Sequence, residues 1–362
     1  MLGVLSGGFG VDVMFEVVRQ RSGDFPKKQM FTLADVAPQT TILDCLNRIK
    51  WEQDGSLGFR KNCRNTICGS CGIRMNGRSG LACKEKVGET LKSFPERSHN
   101  GTPVIAIAPL GNLPVMKDLI VDMSAFWDNL EAVDPYVSTA ARQSQFPTPT
   151  DAPQTDAPQK ETLQTPAERA KLAAAGNCIL CGACYSECNA REVNSTFVGP
   201  HALAKAQRIL DDTRDEATAE RLERYGEDLS GVWGCTRCYQ CNEVCPMEVQ
   251  PLDRISAIKA QVLEEQAAIA TTNVSRPVRH RRVLRELVRE GGWIDERQFA
   301  LRVVGNAFRD WAGLASLGPL GLRLLAKGKV PLGFEPSEGV DEIQGVMDAV
   351  RSLEAKGVVA PR

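Results

Sequence analysis

The chain has 362 residues, 43% of them hydrophobic, with 44 Lys or Arg against 45 Asp or Glu and a net charge of −1. This is an ordinary globular composition, long enough for two or three domains, and it excludes a nucleic-acid binder working by bulk positive charge. No run of 18 or more apolar residues marks a membrane-spanning helix, and the apolar opening MLGVLSGGFGVDVMF lacks the basic start of a secretory signal, so Met14 competes with Met1 as the natural start.

Residues 11–35 alternate apolar and polar, as two strands around a charged turn at Ser22–Lys28. Thr41–Gln53 has helical periodicity, and Cys45 within it reads as a buried core thiol. Next come Cys63, Cys68, Cys71 and Cys83, spaced C-x4-C-x2-C-x11-C, the plant-type [2Fe–2S] ferredoxin spacing. Gly69, Gly72 and Gly80 suit a loop whose amides approach cluster sulfurs. GIRMNGRS–GLACKEKV reads as a hairpin turning at Asn76-Gly77, and 104–110 as a buried strand. Residues 1–125 are therefore expected to form a β-grasp ferredoxin-like domain. Residues 126–165 form a connector whose Pro/Thr/Gln-rich stretch, SQFPTPTDAPQTDAPQKETLQTP, reads as a linker. Thr165 and Pro166 are placed to cap and start the next helix.

Residues 166–270 read as helical, with Ala202–Leu210 and Leu252–Leu263 the clearest helices, around two more cysteine runs. Cys178, Cys181, Cys184 and Cys188 follow C-x2-C-x2-C-x3-C; Cys235, Cys238, Cys241 and Cys245 repeat it, with Pro246 after them. Soft thiolates at this spacing suit cubane clusters. A tight loop reaches three corners of the cube, and in two-cluster ferredoxins the fourth cysteine of each run crosses to the other cluster. Cys245 is therefore expected to complete the site of Cys178, Cys181 and Cys184, and Cys188 that of Cys235, Cys238 and Cys241. Zinc competes, but two triplet runs do not divide naturally into the C-x2-C pairs of a zinc ribbon. A disulfide framework belongs to small secreted domains, and this many free thiols points to a reducing cytoplasm. His99, His201 and His280 are the only histidines, none in a nucleophilic or acid–base constellation. His201 reads as a helix N-terminal residue, and no catalytic group is expected on this chain.

Residues 271–362 form a basic extension. Positions 276–329 hold twelve Arg or Lys against five Asp or Glu, an excess of seven positive charges. Inside them WAGLASLGPLGLRLLA is apolar but broken by Gly and Pro. Such a segment either docks on an anionic membrane surface or packs on a partner subunit, and the sequence favours the partner.

The ordered signatures KNCRNTICGSCGIRMNGRSGLAC, GNCILCGACYSECNA and GVWGCTRCYQCNEVCP, with PVMKDLIVDMSAFW between the first two, resemble the iron–sulfur subunit of succinate dehydrogenase and fumarate reductase, of cyanobacterial type, over residues 14–265. The resemblance implies an α+β chain: an N-terminal β-grasp plant-type [2Fe–2S] ferredoxin domain and a C-terminal all-α bacterial-ferredoxin-like domain. It implies a peripheral subunit on the cytoplasmic face of a bacterial plasma or thylakoid membrane. That subunit bridges a flavoprotein, which oxidises succinate at FAD, and a membrane anchor that meets quinone. Electrons pass from FAD through [2Fe–2S], [4Fe–4S] and a third centre; a fumarate reductase runs them in reverse. A free-standing ferredoxin-like carrier is the alternative from another class.

The resemblance assigns Cys63, Cys68, Cys71 and Cys83 to [2Fe–2S], and Cys178, Cys181, Cys184 and Cys245 to [4Fe–4S]. It assigns Cys188, Cys235 and Cys241 to the family's usual [3Fe–4S] centre. Cys238 stands where family members carry a non-cysteine residue, so a fourth ligand and a [4Fe–4S] third cluster are expected rather than a bystander thiol. Asn189, Val193 and Thr236 stand where the family has Pro and its quinone-lining Trp and His. No quinone site is therefore expected here, and a cysteine-rich quinone-reducing subunit is a candidate partner in place of a haem-bearing anchor.

Overall fold

The computed structural model describes residues 10–93, 97–139, 163–226, 228–267, 269–329 and 333–356. Most of the expected linker, and most of the N-terminal opening, lie outside those residues. The described chain packs as two compact units, Met1–Arg221 with Leu229–Ala257, and Leu222–Asp228 with Ile258–Arg362.

The first unit opens with a sheet. Its strands are β1 (Val11–Arg19), β2 (Lys27–Val36), β3 (Gly72–Met75), β4 (Arg78–Leu81), β5 (Ser98–His99) and β6 (Thr102–Ala108). The order is β2-β1-β6-β3-β4, with β5 paired to β6. β1 runs parallel to β6 and antiparallel to β2, so the chain must cross over between them. The alternation of β1 is real: Val13, Phe15 and Val17 are fully buried. β6 begins at Thr102 and stops at Ala108, because Pro109 has no N–H to donate to the ladder. β3 and β4 pair through Met75 and Arg78 across a two-residue turn, with Asn76 at φ 48 and Gly77 at φ 86. Both central residues left-handed is the hairpin turn that Asn-Gly favours.

Helix α1 (Ile42–Glu52) covers the sheet, capped by the Thr41 hydroxyl, which accepts from the Asp44 amide. It buries Ile42, Leu43, Cys45, Leu46 and Ile49. The connector starts as structure rather than linker: Ser124–Glu131 is helical, and its Phe126 is fully buried. Helix Pro166–Gly176 begins with a complete capping box between Thr165 and Glu168.

The β-rich and helical regions share one unit because polar groups stitch them together. Ser79 Oγ donates to Glu187 at 2.6 Å, Arg74 pairs with Glu187 at 3.0 Å, and the Gly111 amide donates to Ser186 Oγ at 2.7 Å. Asn112 donates to the carbonyls of Tyr185, Ser186 and Cys188. Helix Pro251–Glu265 leaves this unit at Ala257. The second unit has a small core of Val283, Leu287 and Val303 with Phe299, around helix Arg276–Gly291.

Candidate metal centres

All thirteen cysteines are free of disulfides. Of the first four, Cys63, Cys68 and Cys71 lie on the loop between α1 and β3, and Cys83 follows β4. The amides of Asn65 and Cys68 both donate to Cys63 Sγ at 3.3 Å, and the Cys63 amide approaches Cys68 Sγ at 3.4 Å. Arg64 and Thr66 lie in the left-handed region, each at φ 57, and curl the loop around the sulfurs. Such a nest of inward amides favours negative charge. A hydrogen bond from the Ser70 side chain, with help from backbone amides and Cys63, brings the Cys68 thiol down to about 6. Burial pushes Cys71 up to about 12, and its neighbours Cys83 and Cys68 oppose its ionisation further. Hydrogen bonds thus link Cys63 to Cys68 and Cys71 to Cys83, and Cys68 lies near enough to Cys71 to oppose its charge.

The other eight cysteines converge crosswise. Cys178, Cys181, Cys184 and Cys245 line one cavity, with about 390 Å³ of space free of protein atoms, walled by Phe126, Ile179, Leu180, His201 and Met247. Cys188, Cys235, Cys238 and Cys241 line a second, of about 290 Å³, with Phe197, Thr236, Tyr239 and Leu252. Each cavity therefore draws three cysteines from one run and the last from the other. Burial pushes Cys181 up to about 11, aided by Cys178 and Cys245, and Cys184 well above the usual thiol range. In the second cavity burial raises Cys188 to about 11 and Cys241 to about 12, with the Cys235 and Cys238 thiols adding to both. Such thiols do not ionise together unless positive charge arrives among them, as iron does when it binds. Among the described residues no group of His, Cys, Asp or Glu is arranged to hold a single metal ion. The thiols ring a space instead, which fits a polynuclear group.

The two loops also share a backbone form. Leu180 and Gly182 are left-handed (φ 54 and 83), and so are Arg237 and Tyr239 at the matching positions (φ 58 and 67). Cys238 thus occupies the same place in its loop as Cys181 does in the first. Three non-glycine residues in this region are a local strain of the kind that gathers at functional sites.

The loops touch. A Cβ on Gly69 would lie 2.9 Å from Cys181 Cα and from Ile179 O, and one on Gly72 would lie 2.8 Å from Cys181 O. These glycines serve loop-to-loop contact, a role beyond the sulfur approach expected of them; Gly80 instead faces the Met75 side chain. Sequence reasoning also missed His201. It does begin helix Pro200–Leu210, but its ring is buried, stacks on Phe126 with centroids 3.8 Å apart, and lies with Nε2 2.9 Å from Phe126 O. Burial lowers its basicity to a pKa of about 3. No motif flags it; only its place behind Gly199-Pro200, at the start of an apolar helix, hinted at burial. Val193 is 83% exposed, Asn189 starts a short helix and Thr236 faces the second cavity, so these three do not form one pocket.

Residues 14–128 match the model of a 2Fe-2S iron–sulfur cluster binding domain, and residues 174–249 that of a 4Fe-4S dicluster domain. The chain is 37% identical to the fumarate reductase iron–sulfur subunit of Haemophilus influenzae, over 62% of this chain and 82% of that one. It is 34% identical to the succinate dehydrogenase iron–sulfur subunit of Coxiella burnetii, over 62% and 84%. Among solved structures, a chain of the Mycobacterium smegmatis Sdh1 complex superposes with a TM-score of 0.57 at 23% identity, covering 72% of this chain and all of that one. It shares the fold.

Proposed function

Because the chain belongs to the iron–sulfur subunit family of succinate dehydrogenase and fumarate reductase, we propose the following ligand sets for its clusters. Cys63, Cys68, Cys71 and Cys83 hold [2Fe–2S]. Cys178, Cys181, Cys184 and Cys245 hold [4Fe–4S]. Cys188, Cys235, Cys241 and Cys238 hold the third cluster, as a second [4Fe–4S]. The chain is the electron-transfer subunit of a succinate:quinone oxidoreductase, working with a flavoprotein that carries FAD and with a membrane anchor subunit. It is peripheral: among the described residues no helix is long and apolar enough to cross a membrane.

Bound clusters supply one-electron redox chemistry, and this chain supplies their ligands, spacing and surroundings. Apolar side chains such as Phe126, Ile179 and Met247 around the second site, and Phe197 and Leu252 around the third, lower the polarity near the thiolates. Cys238 adds a negative charge beside the third cluster, which lowers its potential relative to a three-iron centre. Electrons pass along the three sites in order, from first to third in succinate oxidation and from third to first in fumarate reduction. Asn189, Val193 and Thr236 offer no quinone pocket, which favours a cysteine-rich quinone-reducing partner on the cytoplasmic face.

The observation that carries this reading is the pair of crosswise four-cysteine cavities. Low-temperature EPR with iron analysis tests it. About ten irons per chain, two interacting reduced cubanes and no oxidised three-iron signal are expected. A three-iron signal with about nine irons would make Cys238 a bystander. A flavoprotein should co-purify under gentle extraction; a chain that never retains one would be a free carrier.

A further inference from the structure

The second unit carries a helical segment that its own fold leaves uncovered. Asp310 caps helix Trp311–Ser316, accepting from the Gly313 amide at 2.7 Å, and Leu317 passes in helical geometry into helix Gly318–Ala326. Neither helix buries a residue. Trp311 is 68% exposed, Leu320 53%, Leu322 69% and Leu325 65%. Leu314 reaches inward, against Gly305. Before the segment, Asn306, Ala307 and Phe308 run through the left-handed region (φ 45, 51 and 69), and Phe308 is left 57% exposed, 6.0 Å from the Trp311 ring. Helices of six and nine residues are marginal in water on backbone bonds alone, and an apolar environment on their uncovered side would stabilise these.

Charge says which environment. Residues 311–329 contain no Asp or Glu, while Arg323, Lys327 and Lys329 are all exposed. By helical spacing Trp311, Leu322 and Leu325 fall on one side, and Arg323 and Lys327, four apart, on another. An apolar face with an aromatic anchor and a purely basic flank matches the acyl boundary and phosphates of an anionic bilayer. We infer that residues 308–329 are an interfacial anchor that lays Trp311, Leu322 and Leu325 into the surface of an anionic membrane, with Arg323, Lys327 and Lys329 on the lipid phosphates. This reverses the preference for a protein partner that the sequence suggests. It does not depend on the cluster assignment.

The test is flotation of the full-length chain, purified with its flavoprotein and with cluster absorption intact. The vesicles are phosphatidylcholine alone, or phosphatidylcholine mixed with phosphatidylglycerol. The protein is expected to float with the mixed vesicles and to be released as salt rises. L322D/L325D should weaken that partition by about a hundredfold or more. R323E/K327E/K329E, a surface change that leaves the fold alone, should abolish the preference for phosphatidylglycerol. Tryptophan fluorescence should shift to the blue on binding, and W311F should lose that shift. Failure to float with either vesicle would overturn the inference. So would charge-reversed protein that still prefers phosphatidylglycerol, or binding only when a membrane-anchor subunit is present in the bilayer.

Discussion

The contact between the first two metal centres makes a quantitative prediction, because three glycines separate its ingredients. Gly77 sits at φ 86 with nothing within 4 Å of an added Cβ, so G77A adds only left-handed strain, about 1 kcal/mol. Gly72 has no positive φ, but its Cβ would lie 2.8 Å from Cys181 O, so G72A adds only a clash with backbone, about 1–3 kcal/mol. Gly69 combines both, with φ 68 and two backbone atoms of the neighbouring loop at 2.9 Å. G69A should therefore cost roughly 2–4 kcal/mol, the sum of the other two kinds. Each kcal/mol shifts the midpoint of a unit this size by about 2–4 °C, so G69A should lose roughly 5–15 °C. The assay is anaerobic thermal unfolding of the cluster-loaded chain at one scan rate, followed by freeze-quench EPR. G72A and G69A should also slow electron passage from the first centre to the second, and G77A should not. If G69A and G72A prove no worse than G77A in both readouts, the loops do not touch as described and the reasoning fails.

Three further outcomes are expected. C238S should drop the iron content from about ten to about nine per chain and bring up an oxidised three-iron EPR signal, with the other two centres unchanged; an unaltered spectrum would refute ligation by Cys238. Cys45 is fully buried, and its thiol is pushed up to about 12 by that burial, so iodoacetamide at pH 8 should label it only after unfolding in urea. Labelling of the native protein, read by mass spectrometry, would contradict this. Arg221 is 2% exposed and donates to Asp215 and to the carbonyls of Asp134 and Tyr136, so R221M should cost about 3–5 kcal/mol by leaving Asp215 without its cation. A midpoint in urea within experimental error of the parent would count against it.

What could be read from the residues was whatever has a short-range cause. The Thr41 and Thr165 caps, the Asn76-Gly77 turn and the alternation of β1 depend on neighbours in the chain, and the structure has each where the pattern puts it. The cysteine spacing reached further, since two-cluster ferredoxin spacing implies that the runs exchange their last members, and Cys245 and Cys188 do lie in the crossed cavities. Long-range polar fits were not legible. Nothing in the text of Ser79, Glu187 or Asn112 marks them as the links between the sheet and the cluster loops. Phe126 fell in a region read as connector because a single aromatic residue has no periodicity, yet it stacks on His201 at the wall of a cluster cavity.

The arrangement of the loops explains why three centres can act as one path. The first loop presses on the backbone of Cys181, a residue of the second site. Within the second site, the Cys184 thiol feels not only its own set but also Cys241 of the third. Contact therefore runs from first to second through Gly69 and Gly72, and from second to third the Cys184 and Cys241 thiols lie near enough to oppose each other's charge. The crossed cysteines strengthen the second step: each helical-region cavity draws on both cysteine runs, so separating the runs would open both. A chain built from three independent cluster domains would have no such constraint, and its electron path would vary with every hinge motion. Here the spacing between centres is set by the same backbone contacts that hold the fold together. A change that moves the centres apart should then show itself as lost stability before it shows as lost potential control.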